Sequence, residues 1–261
     1  MLPNYLTALT AAFFLSTGIA TAHAGEKPSA LGAAITCYNA SSAIADHTEA
    51  LRRRPSYVPE RKWNPAMCDL ALLISKKSGS AALTVALTAF SASLKPVAAD
   101  VDAVVVAMKT SSAWTDSHAA REKLSATLDA YIPLRAALAQ QIRKEKTEAD
   151  RKQLSALAKK EKRKKVKSAI YYSLAISIGE EDLRTALANK DYVAFSKPLP
   201  IIYDAVTALA TGPEGELLAD YCAAVLQLHK AASAVTPTWG SAELIAFSEA
   251  QQAVVAASNA L

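Results

Sequence analysis

Along most of the chain the apolar residues recur every three or four positions, the spacing that buries one face of a helix. Leu31, Ile35, Tyr38, Ser42, Ala45 and Leu51 follow it, predicting a first helix from about Ser29 to Arg53 that Pro55 ends. The segment "RRRPSYVPERKWNP", Arg52 to Pro65, holds three prolines, five Arg or Lys and two aromatic rings before the pattern resumes in "AMCDLALLISKK". That composition reads as an ordered loop, and Gly79 is placed to kink or end the helix after it. From Ala81 to Lys109 the pattern is again helical, except that Pro96 predicts a kink or break, since a proline costs about 3 kcal/mol in a helix interior. Further helices are expected at about Glu214 to Ala234 and Ser241 to Leu261, with Pro198, Pro200 and Gly212 as punctuation. No fixed-period repeat is visible, and the period predicts an all-α fold, an antiparallel helical bundle with long helices.

Between Pro133 and Gly179 no Gly or Pro interrupts the chain. One helix over residues 134–178 would span about 67 Å at 1.5 Å per residue, against a radius of gyration of about 18 Å for a compact domain of this size. Either the bundle is elongated or the chain reverses there without either residue. Within this stretch, residues 159–165 contain no apolar side chain, so about two helical turns offer a core nothing but alkyl stems. Val166, Ile170 and Leu174 then recur at i, i+4 and i+8, flanked by Tyr171, Tyr172, Ile176 and Ile178. The expectation is one helix, wet through its basic turns and entering the core at Val166.

Charge sharpens that picture. The formal net charge is +5, with 29 Lys or Arg and 24 Asp or Glu. Residues 141–168 hold 12 of the basic and 4 of the acidic residues, so one region is strongly cationic and the remainder slightly acidic. A composition 51% hydrophobic with only 8 Gly disfavours disorder and favours long helices.

The first residues, "MLPNYLTALTAAFFLSTGIATAHAG", form an apolar run ending in Ala22-His23-Ala24, the small-x-small pattern of a secretory cleavage site before Gly25. The expected organisation is a signal peptide at 1–24 and a single helical-bundle domain at 25–261, periplasmic and not lipidated, because Cys37 lies too far from the site. The apolar run falls short of the roughly 20 residues of a spanning helix, and no later segment is expected to cross a bilayer. Cys37, Cys68 and Cys222 allow three pairings in an oxidising compartment. Cys37 with Cys68 is favoured, since it would tie off the Pro-rich loop between neighbouring helices.

Candidate chemistry is sparse. His47, His118 and His229 lie in no nucleophile–base motif, the cysteines lack metal-ligand spacing, and "TGPEGE" lacks the lysine and strand of a phosphate loop. Glu180, Glu181 and Asp182 read as first-turn acids of a helix that starts after Gly179, and Asp100 and Asp102 as solvated. The expectation is no enzyme, no catalytic residue and no cofactor or metal.

The segments "LGAAITCYNASSAIADH", "KLSATLDAYIPLRAALAQQIRKEK", "KKVKSAIYYSLAISIGEEDLRTAL" and "LIAFSEAQQAVVAASNAL" resemble the YiiG-like family of bacterial envelope proteins, all-helical proteins of unknown function. That resemblance implies a periplasmic helical bundle that binds a partner, and it supplies no catalytic residues. The functional expectation is a non-enzymatic binding protein, foremost an inhibitor or immunity-type protein that neutralises a secreted toxic effector. The alternative is an envelope-associated binder of anionic lipid or cell-wall polymer through the basic run. Nucleic acid is not expected, because no aromatic side chain interleaves the lysines. The candidate contact residues are Arg52, Arg53, Arg54, Tyr57, Arg61 and Trp63 in the Pro-rich segment, with Lys159, Lys160, Lys162, Arg163, Lys164, Lys165 and Lys167 in the basic run.

Overall fold

The computed structural model describes residues 29–53, 57, 59, 64–110, 114–164 and 166–261. The expected signal peptide and its cleavage site lie outside these residues. The protein is all-α, with helices and no strand among the described residues. The chain divides into two compact units, one ending at Ile142 and the other comprising Arg143–Leu261.

The first unit begins with helix α1 (Ala30–Ala40), capped by the Ser29 side chain, which accepts the Gly32 N–H. The predicted first helix is interrupted once. Ser41 turns its N–H back to the carbonyls of Cys37 and Tyr38 and its hydroxyl to Tyr38 O at 2.6 Å, and α2 (Ser42–Arg53) starts beyond it. A 3-10 turn, Pro65–Cys68, follows an Asn64 whose side chain accepts the Ala66 N–H, with Pro65 at the position where a missing donor costs nothing. Helix α3 (Asp69–Ser78) ends at Gly79, as the sequence suggests. The Cys37–Cys68 disulfide joins α1 to the 3-10 turn, with Cα atoms 5.0 Å apart, and leaves Cys222 as the free, buried thiol.

Helices α4 (Ala81–Thr110) and α5 (Trp114–Lys160) carry the core of this unit. Leu83, Leu87, Phe90, Leu94, Val97, Val101 and Val104 are all buried, and so are Leu124, Leu128, Tyr131, Arg135, Leu138 and Ile142. Both series alternate steps of four and three, the 3.5-residue repeat of a coiled-coil seam. The pairs Phe90–Tyr131, with ring centroids 5.6 Å apart, and Asp100–Thr127, hydrogen-bonded at 2.6 Å, make the two helices antiparallel.

Pro96, where a kink or break is expected, does not break its helix, and Pro133 likewise lies inside one. Each occupies an exposed position, where a carbonyl deprived of its donor can turn to water. Asp100, expected in solvent, is buried and bound by Lys123 Nζ at 2.8 Å and Thr127 Oγ1.

The second unit contains the end of α5 with α6 (Ala169–Ala188), the short α7 (Tyr192–Ser196), α8 (Leu199–Ala210), α9 (Ala219–Ala234) and α10 (Ser241–Asn259). Ile176, Leu183, Phe195, Ile202, Val206, Val225, Leu228 and Phe247 form the centre of its core, with Trp239 set edge-on to Phe195 at 5.5 Å. Gly179 does not end a helix; it is buried midway along α6, where Ile202 of α8 approaches too closely for a side chain.

Of the two outcomes left open for residues 134–178, the reversal occurs, at 161–168. The basic run and the apolar run therefore belong to different helices. Val166 is 55% and Ile170 51% exposed, so the core is not entered at Val166. The buried face of α6 instead runs through Ala175, Ile176, Ile178, Gly179, Leu183 and Ala186. Ile170 lies in its first turn and is exposed, whereas Ala169 and Tyr172 of the same turn pack against the core.

Two stretches, Ala81–Lys109 and Tyr192–Ala210, are long and apolar enough by length and composition to cross a membrane, contrary to the expectation that none would be. Leu83, Leu87, Phe90, Leu94, Val97, Val101 and Val104 of Ala81–Lys109 are buried in the seam described above, while Val85 and Val106 are exposed.

Candidate functional site

The turn between α5 and α6 carries the highest density of cations in the chain. Lys159 and Lys160 close α5, where the unpaired carbonyls of a helix C-terminus favour positive charge. Glu161 then organises the reversal. Its side chain is 5% exposed, its Oε2 accepts the Ser168 N–H at 2.9 Å, and its Oε1 takes Lys164 Nζ at 3.2 Å. Lys167 Nζ donates to the Glu161 carbonyl, and the Lys167 N–H donates to the Tyr172 hydroxyl at 3.2 Å. Ser168 caps α6 by accepting the Tyr171 N–H. The Ser168 N–H, helped by the Lys164 ammonium and against the cost of burial, holds the Glu161 carboxyl below the usual glutamate range.

The one acid of the turn is thus folded inward. Lys159, Lys160, Lys162, Arg163 and Lys164 are exposed, and Lys167 is half-buried. Lys165 lies outside the described residues. Beside the turn, Val166, Lys167, Ala169 and Tyr172 face Ala208, Leu209, Gly212, Pro213 and Glu214 across a shallow dent of about 160 Å³ that opens to solvent.

The Pro-rich candidates are brought together only in part. Arg54, Arg61 and Trp63 lie outside the described residues, as do the side chains of Arg52 and Arg53 at the end of α2. Tyr57 is half-buried, and its hydroxyl is hydrogen-bonded to His47 Nδ1.

A second charged cluster escapes the sequence reading. Lys146 Nζ meets Asp150 Oδ2 at 2.6 Å and Ser177 Oγ at 3.0 Å, while Arg184 lies 3.3 Å from Glu181 and 3.9 Å from Glu180. Arg143 approaches Glu181 at 3.7 Å, and Arg151 pairs with Asp182 at 2.5 Å. These ion pairs tie the end of α5 to α6. The acids at 180–182 are consequently mid-helix partners, not first-turn acids. Burial pushes the Glu180 carboxyl above its ordinary value, against the pull of Arg184 and Lys146, and its Oε1 makes no hydrogen bond. The i, i+4 spacings of Lys146 with Asp150 and Glu180 with Arg184 were the available signal, obscured by reading Gly179 as a helix end.

Buried polar groups also line the first unit. The Arg135 guanidinium lies 4.4 Å over the Tyr38 ring, a cation–π contact inside the core. Burial raises the Tyr131 phenol to about 12, with Ser41 and Arg135 acting in the opposite direction. His118 faces Glu122 at 3.6 Å, and His229 packs on the ring of Tyr203. Among the described residues no three His, Cys, Asp or Glu side chains converge as a metal site. No family model, curated protein or solved structure matches the chain.

Proposed function

We propose that the chain is a non-enzymatic binding protein of the bacterial envelope that docks on an anionic partner through the turn from Lys159 to Lys167. The observation that carries this reading is the disposition of Glu161. The acid that fixes the reversal is turned inward, which leaves Lys159, Lys160, Lys162, Arg163 and Lys164 exposed with no exposed acid among them. Lys164 and Lys167 are held by hydrogen bonds at the end of a helical hairpin, so less order has to be imposed on these two on binding. An inhibitor of a secreted toxic effector is the form this reading takes if the partner is an acidic protein. An envelope-associated binder is the form it takes if the partner is lipid or cell-wall polymer.

The test replaces Lys159, Lys160, Lys162, Arg163 and Lys164 together with Gln and measures retention on isolated envelope membranes and on soluble polyglutamate, across a salt series. Native protein should bind at least one of them and weaken as the Debye length falls from about 10 Å at 0.1 M salt to about 3 Å at 1 M. The folded Gln variant should be released at low salt already. Equal, salt-insensitive binding by both proteins would remove the turn from the function.

A further inference from the structure

We infer that the surface this turn recognises is an anionic lipid bilayer, into whose headgroup region Val166 and Ile170 insert while the surrounding cations hold the phosphates. The inference rests on the docking reading above and adds the chemistry of the partner. Charge alone would suit any polyanion, but the turn is not charge alone. Val166 and Ile170, 55% and 51% exposed, are interspersed in sequence with Arg163, Lys164 and Lys167. The turn at 211–218 lies across the shallow dent from Val166, and it carries Leu217, 79% exposed. Exposed apolar side chains close to cations along the chain suit an interfacial binding surface: apolar area enters the acyl boundary, and each nearby cation is drawn by the negative leaflet. A polyanion without apolar groups, such as polyglutamate, would satisfy the cations and leave these side chains in water. Glu214 and Glu216 on the neighbouring turn oppose the attraction, but they are two acids against the seven cations between Lys159 and Lys167.

The arrangement also explains why Ile170 stands outside the core that its sequence period suggests. In the first turn of α6, Ala169 and Tyr172 pack against the core and Ile170 does not, so the Ile170 side chain is available for a surface the chain does not itself provide.

The experiment is co-sedimentation of the full chain with vesicles of phosphatidylglycerol and phosphatidylethanolamine, with purely zwitterionic vesicles, and with soluble polyglutamate as a separate probe. Native protein should pellet with the anionic vesicles only, and part of that binding should survive high salt. Val166→Ser with Ile170→Ser should weaken vesicle binding by roughly tenfold or more while leaving polyglutamate binding unchanged. Ile170→Trp should restore binding to a Val166→Ser background, with emission shifted to the blue on anionic vesicles alone. Vesicle binding by the double Ser variant equal to native, or native binding to polyglutamate but not to vesicles, overturns the lipid inference and leaves the docking reading standing. Native protein that binds no anionic probe overturns both.

Discussion

The Glu161 carboxylate accepts the backbone N–H of Ser168 across the turn, so a glutamate just beyond the end of one long helix fixes the first residues of the next. A reversal without Gly or Pro needs such a side chain, because no residue in it is conformationally suited to turn the chain by itself. The carboxyl is held below its ordinary value of 4.5, chiefly by that N–H. Its stabilising contribution is therefore complete above the unfolded-state value and is lost as pH falls through the lower, folded-state one. Glu161→Gln should melt below native protein at pH 7, and the gap should close in acid, as pH falls through the lower folded-state value. Thermal melts followed by circular dichroism at pH 7 and in acid test this, and a gap that stays constant with pH would mean that the charge of Glu161 contributes nothing.

Glu180 has the opposite sign. Its carboxyl, 12% exposed, is raised by burial more than Arg184 and Lys146 lower it. A raised carboxyl favours the folded state while protonated, so its contribution is present below the unfolded value and is lost as pH rises through the folded one. Glu180→Gln should then raise the melting midpoint at pH 7 and have little effect near pH 4. Arg184 keeps Glu181 as a partner in the variant, at 3.3 Å. A lowered midpoint at pH 7 would show that the Glu180–Arg184 pairing outweighs the cost of burial.

The seam between α4 and α5 was legible in the sequence because each buried position recurs at a fixed step and large side chains occupy nearly all of them. Pro96 and Pro133 break neither helix, for a reason that sequence does not carry. The cost of a helical proline depends on whether the carbonyl it orphans faces solvent or core, and here both residues are exposed. The cationic run was legible as a wet segment, but its separation from the apolar run was not, since the turn is made by the Glu161 side chain and not by a breaker residue. Gly179 was misread for a related reason: it permits a close helix crossing, a tertiary relationship, and resembles a helix end when only the local chain is considered.

Cysteine chemistry offers a direct count. Cys37 and Cys68 are bonded across 31 residues, and chain entropy assigns such a loop about 3–4 kcal/mol of stabilisation. Cys37→Ser with Cys68→Ser should lower stability by about that amount, read from urea unfolding with a lower midpoint and a slope that rises as the uncrosslinked denatured chain exposes more surface. Cys222 is 3% exposed, and burial raises its thiol further from ionisation. Native, unreduced protein should therefore resist alkylation, then take up one label per chain in denaturant. Three labels without reductant would disprove the disulfide.

Gly179 and Ile202 give the sharpest test of packing in the second unit. A Cβ built on Gly179 would lie 2.6 Å from Ile202 Cγ1 and 3.0 Å from Cδ1, and Ile202 is fully buried, with no open space to retreat into. Gly179→Ala should therefore destabilise by about 1–2 kcal/mol even though alanine is the better helix former, because overpacking outweighs the propensity gain. Ile202→Ala alone leaves a cavity and should cost about 2–5 kcal/mol. The two together should cost less than the sum of the single changes, since the alanine at 202 removes the atoms that the new methyl would strike. Urea denaturation of the four proteins measures that coupling. Strict additivity, or a Gly179→Ala protein as stable as native, would mean that α6 and α8 do not approach each other at this pair.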